Sequence, residues 1–356
     1  MSTSDVTTEG IRGARPGREA LTGSVATAGE QRRRRGRRRG EQAMVPDAEF
    51  RSYYGKPIIN QIPWEARDIA GYLFLGGLAG ASSVLAAGAE LTGRPDLARP
   101  MKYTALGAIS GSVAALINDL GRPARFVNML RVFKPTSPMS IGSWLLVGYG
   151  PLAGVAAVTG ATGLFPRIGR AATIGAGVVG PAVASYTAPL VCDTAVPAWH
   201  EGYREMPFVF VGSAAAAAGG MGMLTAPAGQ AAPARRAAVF GSLLEAAATT
   251  CMERRMGMIA EPYRGGVGGA LMRGAKALTV SGAAVGAVLG HRSRAVSAVC
   301  GAALLAGSAC TRFGVFQAGV QSARDPKYTV VPQRERLREQ AEEKAGDPRS
   351  NGAATR

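Results

Sequence analysis

The sequence is dominated by apolar segments about as long as a bilayer is thick. A membrane-crossing helix needs roughly 20 consecutive, mostly apolar residues, and segments of this kind recur through the middle of the chain. They span residues 69–89, 103–118, 141–165, 171–191, 207–224, 237–252, 277–290 and 295–311. The alternating apolar and polar pattern of a membrane β-barrel is absent from them. The sequence therefore predicts an all-α integral membrane protein with about eight transmembrane helices, a multi-pass protein of the cell membrane.

Charge is concentrated at the two ends of the chain. Apolar residues make up 47% of the sequence and charged residues 18%, below the roughly 25% charged residues usual in soluble proteins. We predict a disordered Arg-rich tail over 1–48, a polytopic domain over 49–320, and a polar, disordered tail over 321–356. This distribution disfavours a soluble enzyme, a disulfide scaffold and a wholly disordered chain.

The arginine runs at 32–35 and 37–39 allow two interpretations. Arginine neutralises phosphate in nucleic-acid-binding proteins, but no folded reader domain accompanies these runs. Basic tails beside membrane spans are common signals for topology or for the lipid surface. We therefore expect membrane lipid, and no nucleic acid, as the partner of this tail. Basic residues in the loops are balanced between the two sides and predict no orientation.

Cysteine and histidine are too dispersed to predict a metal centre. The cysteines are Cys192, Cys251, Cys300 and Cys310, and the histidines are His200 and His291. No C-x-x-C pair is present, which disfavours an iron–sulfur cluster or a structural zinc site. Both histidines fall at the ends of predicted segments. We expect no cofactor bound in this chain.

Small residues recur at every fourth position in several apolar segments. The spaced glycines are Gly76 and Gly80, Gly107 and Gly111, Gly150 and Gly154, and Gly282, Gly286 and Gly290. Such spacing lets helix backbones approach closely in lipid. A phosphate-binding loop would need a strand–loop–helix setting, which the pattern does not predict. We interpret these glycines as helix-packing positions.

Two acidic residues precede the first apolar segment. Glu65 and Asp68 are three residues apart and would share one face of a helix, and Tyr72 follows one turn later. Aromatic residues at a membrane boundary are commonly anchors. The two acids could accept a proton from a bound quinol, or they could simply be solvated.

A polar run closes the second segment. Asp119 is followed by Arg122, Arg125 and Arg131. Asp119 could pair with Arg122 or Arg125 and cap the helix, which is a structural role. The helix stop and the three arginines also suit the docking of a peripheral subunit, and these residues alone leave both interpretations open.

Later segments carry two further polar groups. Tyr186 lies near Pro189 in a proline-disrupted helix, where its hydroxyl could bond a freed backbone carbonyl or a quinone carbonyl. Glu245 is the sole carboxylate well inside a predicted span, and intramembrane acids are by default proton relays or ion-pair partners. Glu253 lies two turns further on, where Arg254 or Arg255 could neutralise it.

In this order, these polar groups resemble the NrfD/polysulfide-reductase family of membrane subunits. The matching runs are Tyr-Tyr-Gly-Lys-Pro at 53–57, Trp-Glu at 64–65, the glycine-rich run 72–80, Asp-Leu-Gly-Arg-Pro at 119–123, Arg-Phe at 125–126, Ser-Pro-Met-Ser at 137–140 and Tyr-Thr at 186–187. The resemblance covers roughly residues 50–335. It implies two four-helix bundles that anchor a ferredoxin-like iron–sulfur subunit and a molybdopterin oxidoreductase subunit. It also implies electron exchange with the quinone pool.

The resemblance assigns roles to particular residues. It places quinone or quinol at Glu65, Asp68, Tyr72 and Tyr186, although relatives carry His or Asn where this chain has its acidic pair. In addition to these residues, we interpret Asp119 and Glu245 as proton carriers. The residues interpreted as docking the partner are Arg122, Arg125, Arg131 and His200. The iron–sulfur clusters and molybdopterin would belong to partner subunits, so the isolated chain should catalyse nothing. A secondary transporter using Glu245, or a structural anchor without a quinone site, are the alternatives.

Overall fold

The computed structural model describes residues 6–7, 10–11, 58–60, 62–121 and 124–346. Their contacts form two compact units, one of Met1–Ile62 with Ser322–Arg356 and one of Pro63–Gln321. In the first unit, β1 (Val6–Thr7) pairs antiparallel with β2 (Gly10–Ile11). The arginine runs of the predicted N-terminal tail and Arg122 lie outside the described residues.

The second unit is built from helices. They are α1 (Ala66–Leu91), α2 (Pro95–Asp119), α3 (Ala124–Met129), α4 (Pro138–Thr162), α5 (Pro166–Ser185), α6 (Thr187–Cys192), α7 (Pro197–His200), α8 (Met206–Thr225), α9 (Ala232–Arg255), a 3-10 turn at Gly257–Ala260, α10 (Glu261–Arg264), α11 (Gly266–Leu289) and α12 (Arg294–Arg324). A helix therefore covers each of the eight apolar segments. Five helical stretches are long and apolar enough to cross a membrane, namely α1, α4, α5 with α6, α8 and α12. The other three long helices, α2, α9 and α11, contain charged residues such as Lys102, Glu245 and Lys276.

Proline and glycine set several helix boundaries. The third segment was expected to continue to Phe165, but α4 ends at Thr162 because Gly163 adopts a left-handed φ of 71°. Pro166 then starts α5, where its missing N–H costs no helical hydrogen bond. The fourth segment is also interrupted, since Pro189 cannot donate to the carbonyl of Ser185 and the helix breaks at Tyr186.

Close backbone contacts hold the helices together. α1 packs against α2, α5 and α8, α4 packs against α5 and α2, and α9 packs against α8 and α11. A Cβ on Gly80 of α1 would collide with the carbonyl oxygen of Gly180 in α5, and the reverse also holds. Gly220 of α8 and Gly301 of α12 face each other in the same way. Small residues thus permit the approach that lipid-embedded helices use.

The glycine prediction is right for some positions and wrong for others. A Cβ on Gly111 would lie 3.1 Å from Leu75, and one on Gly282 would lie 3.1 Å from the carbonyl oxygen of Cys300. At Gly107, Gly150 and Gly154, by contrast, it would meet no other element within 4 Å in the part of the chain that the structure describes. A spacing of four residues defines a stripe on a helix, but not whether that stripe faces a neighbour.

Large apolar side chains also cover the outside of these helices. Val178 of α5, Leu243 of α9 and Val299 of α12 are 75%, 66% and 69% exposed. Extended apolar surfaces of this kind are unfavourable in water and suit contact with another apolar medium. The exposed apolar side chains and the buried small residues together match helices that are surrounded by lipid.

The C-terminal segment differs from the expectation of a disordered tail. Within the first unit, residues Lys327–Gly346 form the helix α13. Its sequence is rich in Glu, Arg, Gln and Ala, which are strong helix formers. Polarity excluded this segment from the predicted spans, but it did not exclude a helix.

Candidate functional site

Two tyrosines predicted to share a site are in direct contact. Tyr72 of α1 and Tyr186, at the break between α5 and α6, are buried and form a hydrogen bond through their hydroxyl groups. The Tyr186 ring lies against Gly142 of α4, where a Cβ would come within 2.5 Å of the ring. The Ser112 hydroxyl of α2 donates to the Tyr72 carbonyl at 3.1 Å. Four helices therefore converge on this pair, whose members lie 114 residues apart.

The broken helix leaves a second hydroxyl beside Tyr186. Thr187 is fully buried, and its Oγ1 has no hydrogen-bond partner among the described residues. Buried hydroxyls are normally satisfied, because an unpaired one loses its hydration without compensation. The Thr187 hydroxyl therefore has an unused hydrogen-bonding capacity. The sequence matched Tyr-Thr at 186–187 to the family but assigned no role to Thr187.

Three acids gather where α1 begins and α2 ends. Asp68 lies one turn before Tyr72, and its Oδ2 accepts a hydrogen bond of 2.7 Å from Asn118 Nδ2. Partial burial raises the pKa of Asp119, and the negative charges of Asp68 and Glu65 raise it further. Glu65 itself is exposed. A carboxyl group with a raised pKa holds a proton to higher pH, so this cluster is suited to receive protons.

Arg125, one of the two arginines suggested as partners of Asp119, binds elsewhere. Arg125 Nη1 donates to the carbonyl oxygen of Leu120 at 3.0 Å, just beyond the end of α2. This bond satisfies one of the free carbonyls at the helix terminus. Arg125 and Arg131 are both exposed, whereas the structure does not describe Arg122.

Two tryptophans join the entry to α1 to the second half of the unit. Trp64 stacks on Trp199 with ring centroids 5.9 Å apart. Trp199 is buried, and its Nε1 donates to the carbonyl oxygen of Val315 in α12 at 2.8 Å. Its ring also contacts Phe316 at a centroid distance of 5.7 Å. Trp64 was considered a membrane-boundary anchor, and its partner shows that it also packs inside the protein.

His200, a predicted docking residue, lies on an exposed and charged surface. It follows the buried Trp199, and its ring contacts that of Tyr203 at a centroid distance of 6.5 Å. Nearby, Arg255 binds both carboxylate oxygens of Glu205, at 2.7 and 2.6 Å. This two-point bond is the main reason that the pKa of Glu205 lies below its ordinary value.

Glu245 belongs to a different cluster from Asp119. It is buried in α9, and its Oε1 accepts a hydrogen bond from the Thr311 hydroxyl of α12. Arg312, the next residue, is fully buried and interacts electrostatically with Glu245. Hydropathy alone ends the last span at Thr311, because the next residue is the charged Arg312, so this arginine was not selected. The apolar residues that follow, such as Val315 and Phe316, signalled that the helix continues.

The neighbouring acid Glu253 has a different partner from those predicted. It forms an ion pair of 3.1 Å with Arg264 of α10. Arg255, one of the two arginines expected to neutralise it, binds Glu205. The 3-10 turn between α9 and α10 brings Arg264 back over the end of α9. Helix periodicity cannot predict this contact.

Metal-binding groups are sparse in this unit. Within residues 58–60, 62–121 and 124–346, no three His, Cys, Asp or Glu side chains come together as a metal site would require. The four cysteines are free thiols. The polar clusters described above are therefore hydroxyl, carboxylate and guanidinium clusters.

The order of these groups along the helices can be compared with known families. A family model described as "Polysulphide reductase, NrfD" matches residues 58–244, more than half of the 356 residues. The chain belongs to the NrfD family. It is accordingly a membrane protein, in agreement with its five apolar helices of membrane-crossing length. No curated protein sequence matches it significantly.

The family match divides the polar clusters in two. The region shared with NrfD includes the tyrosine pair and all three acids of the first cluster. It ends one residue before Glu245, so the cluster with Arg312 lies beyond it. It is also shorter than the extent of 50–335 expected from the resemblance. Family membership therefore bears on the tyrosine site far more than on the Glu245 site.

Proposed function

We propose that this NrfD protein is the quinone-interacting membrane anchor of a molybdopterin and iron–sulfur oxidoreductase complex. The observation that carries the proposal is a cluster of three buried hydroxyl groups at the break between α5 and α6. Tyr72, Tyr186 and Thr187 present phenol and alcohol groups deep among apolar helices. A quinone site combines apolar surroundings with a few polar groups that hold the carbonyls. These three residues supply the polar groups, and a quinone would open the contact between the tyrosines.

The helix contacts support a two-bundle arrangement. α1, α2, α4 and α5 pack on one another, and α8, α9 and α11 form a second group. α12 joins the second group through Gly301 and Gly307, which contact Gly220 of α8 and Thr279 of α11. We propose that all eight long helices cross the membrane as two bundles of four. In this arrangement α2, α9 and α11 are shielded from lipid partly by their more apolar neighbours.

The acids where α1 begins and α2 ends can transfer protons between the quinone site and water. Oxidation of a quinol releases electrons and protons together, and reduction of a quinone consumes both. Asp68 lies one turn from Tyr72, and Asp119 is an acid whose pKa is raised by burial and by its acidic neighbours. We propose that Tyr72 and Tyr186 hold the quinone oxygens while Glu65, Asp68 and Asp119 exchange protons with water. The electrons would pass to an iron–sulfur cluster of the docked subunit.

The exposed basic residues define where that subunit would dock. Arg125 and Arg131 lie on the exposed segment after α2, and Arg122 precedes them in the sequence. His200 lies on another exposed surface of the same unit. Exposed cations of this kind speed association with an acidic partner surface. We propose a ferredoxin-like iron–sulfur subunit as this partner, with a molybdopterin catalytic subunit beyond it.

A pull-down in mild detergent tests the assembly. The tagged chain is purified and the eluate is assayed for iron, molybdenum and quinone. Co-purification of iron–sulfur and molybdenum subunits with quinone is the expected result. Recovery of the metal subunits without quinone would support a purely structural anchor. A stable polypeptide without any of them would contradict the proposal.

Substitution of Tyr186 tests the quinone site within the assembled complex. Tyr186→Phe should lower quinone turnover and raise the KM for quinone by about two- to tenfold, the equivalent of one lost hydrogen bond, while the complex still assembles. Tyr149→Phe is the matched control, because this buried tyrosine of α4 donates to the carbonyl of Ala79 at 2.7 Å and belongs to neither polar cluster. Unchanged turnover for Tyr186→Phe would exclude this role.

Thr187 allows a sharper version of the same test. Thr187→Val keeps the shape of the side chain and removes a hydroxyl that has no hydrogen-bond partner in the described part of the chain. Without a ligand, this change should leave stability unaltered or improve it. A rise in the KM for quinone with no loss of stability would therefore identify Thr187 as a ligand contact.

A further inference from the structure

A second polar cluster lies between α8, α9 and α12. Glu245 is only 6% exposed, and its Oε1 is bound by the Thr311 hydroxyl, but its Oε2 has no partner among the described residues. Arg312 is fully buried. Its Nη2 donates to the Phe210 carbonyl at 2.7 Å, and its guanidinium carbon lies 3.7 Å from the centre of the Phe210 ring. The Nε and Nη1 atoms of Arg312 have no partner in the described part of the chain.

In a membrane interior, the free polar atoms of oppositely charged groups need additional hydrogen-bond partners. Burial of a charge is costly unless it is paired and fully hydrogen-bonded. The Arg312 charge compensates Glu245, but one oxygen and two nitrogens have no hydrogen-bond partner among the described residues. Water is the usual partner for such atoms when there is room for it. The cluster should therefore be hydrated.

The structure has a cavity in the required position. A cavity of about 220 Å³ extends from Glu245 and Thr311 between α9, α10 and α11. This volume has room for several water molecules. Two threonine hydroxyls in its wall, those of Thr250 and Thr279, donate to their own helices at 2.7 and 2.9 Å. Their oxygens are therefore left as acceptors along the length of the cavity.

The other end of the cavity reaches the surface. Its lining there includes the ion pair of Glu253 with Arg264, and the exposed cations Arg273 and Lys276. Arg273 Nη1 also donates to the Arg264 carbonyl at 2.6 Å. The neighbouring Tyr263 hydroxyl is occupied by the Ala198 carbonyl at 2.9 Å. Apart from Glu245 at the inner end, the charged groups that line the cavity are therefore gathered at its mouth.

We propose that Glu245 is a proton-binding site that exchanges its proton with surface water through this cavity, with Arg312 as its fixed counter-charge. The proton passes from cavity water to Oε2 and returns by the same route, and Arg312 stays protonated throughout. Both states have partners, since Thr311 and Arg312 stabilise the carboxylate and cavity water accepts from the acid. The site does not depend on the quinone site, which involves α1, α5 and α6.

Infrared difference spectroscopy of the full chain, in its complex, tests this directly. Between acid and alkaline pH, the wild-type protein should show a carbonyl band from a protonated carboxylic acid in apolar surroundings. The band should shift on transfer to deuterated water, because the cavity admits solvent. Glu245→Gln should abolish it, and Glu253→Gln, at the cavity mouth, is the matched control that should retain it. Persistence of the band in Glu245→Gln would overturn the proposal.

Access through the cavity is tested separately. Ala246→Phe should obstruct the space beside Glu245 and slow the deuterium shift, whereas an unchanged rate would show that the proton takes another route. If either variant fails to fold, the wild-type protein suffices: a hydrophobic carbodiimide labels protonated carboxyl groups, and peptide mapping should find the label on Glu245. An unlabelled Glu245 contradicts the proposal. Loss of quinone binding in Tyr186→Phe has no bearing on these results, so the two proposals can fail independently.

Discussion

The hydrogen bond between Tyr72 and Tyr186 makes a quantitative prediction about stability. Either single change to Phe leaves the other hydroxyl buried and without its partner, because both side chains are at most 7% exposed. An unsatisfied buried hydroxyl costs about 1–3 kcal/mol. Each single variant should therefore lose about 1–3 kcal/mol of unfolding free energy, a roughly 5- to 150-fold change in the folding equilibrium.

The double variant should lose much less than the sum of the two single losses. Replacing both tyrosines removes both hydroxyls, so no orphaned polar group is left in the apolar interior. The wild type, the two single variants and the double variant form a double-mutant cycle. The coupling energy between Tyr72 and Tyr186 should then lie between about 0.5 and 3 kcal/mol. Reversible unfolding in mixed detergent micelles, followed by circular dichroism, measures each of the four proteins under one set of conditions.

A second cycle supplies the control. Tyr186→Phe combined with Tyr149→Phe should give additive losses, because the Tyr149 hydroxyl bonds to Ser83 and to the Ala79 carbonyl instead. Additive losses for Tyr72 and Tyr186 as well would refute the reasoning. They would mean that each hydroxyl has another partner in the protein, and that the pair is not the closed contact that a quinone must open.

Two further predictions concern packing and charge. Gly80→Ala should destabilise the protein by about 1–3 kcal/mol through collision with the Gly180 carbonyl, whereas Gly88→Ala, on the same helix with open space around it, should be neutral or stabilising in the same unfolding assay. The ion pair with Arg255 lowers the pKa of Glu205 in the folded state, so its stabilisation is complete above the ordinary carboxyl pKa and is lost as the pH falls through the lowered value. The melting temperature should therefore fall at acid pH, and it should fall less in Glu205→Gln. The same acid dependence in both proteins would contradict a stabilising role for this ion pair.

Sequence reasoning located the tyrosine site but not all of its members. Tyr72 drew attention because it follows an acidic pair at the start of a span, and Tyr186 because it lies three residues before Pro189; the family resemblance then assigned both to a quinone site. Both signals are local in the sequence. Thr187 belonged to the Tyr-Thr run that resembles the family but received no role, since threonine is common in membrane helices. Its burial without a partner among the described residues distinguishes it.

In the second cluster, the sequence revealed the acid but not its charged partner. Glu245 was evident from the sequence as a lone acid in an apolar segment, but no partner was predicted for it. The structure pairs it electrostatically with Arg312, 67 positions later in the numbering and on another helix. The charge that marked Arg312 as the end of a span is tolerated there because Glu245 and the Phe210 carbonyl lie beside it.

Whether a segment lies in water or in lipid follows from its hydropathy alone. Runs of about 20 apolar residues must leave water, and inside a bilayer only a helix satisfies their backbone; the helices follow from these two facts. Only the tertiary structure decided which polar groups meet, such as Tyr72 with Tyr186, and which glycines touch a neighbour, such as Gly80 but not Gly150. The reason is physical: hydropathy depends on one residue and its surroundings, whereas a contact depends on the rotation and depth of two helices relative to each other.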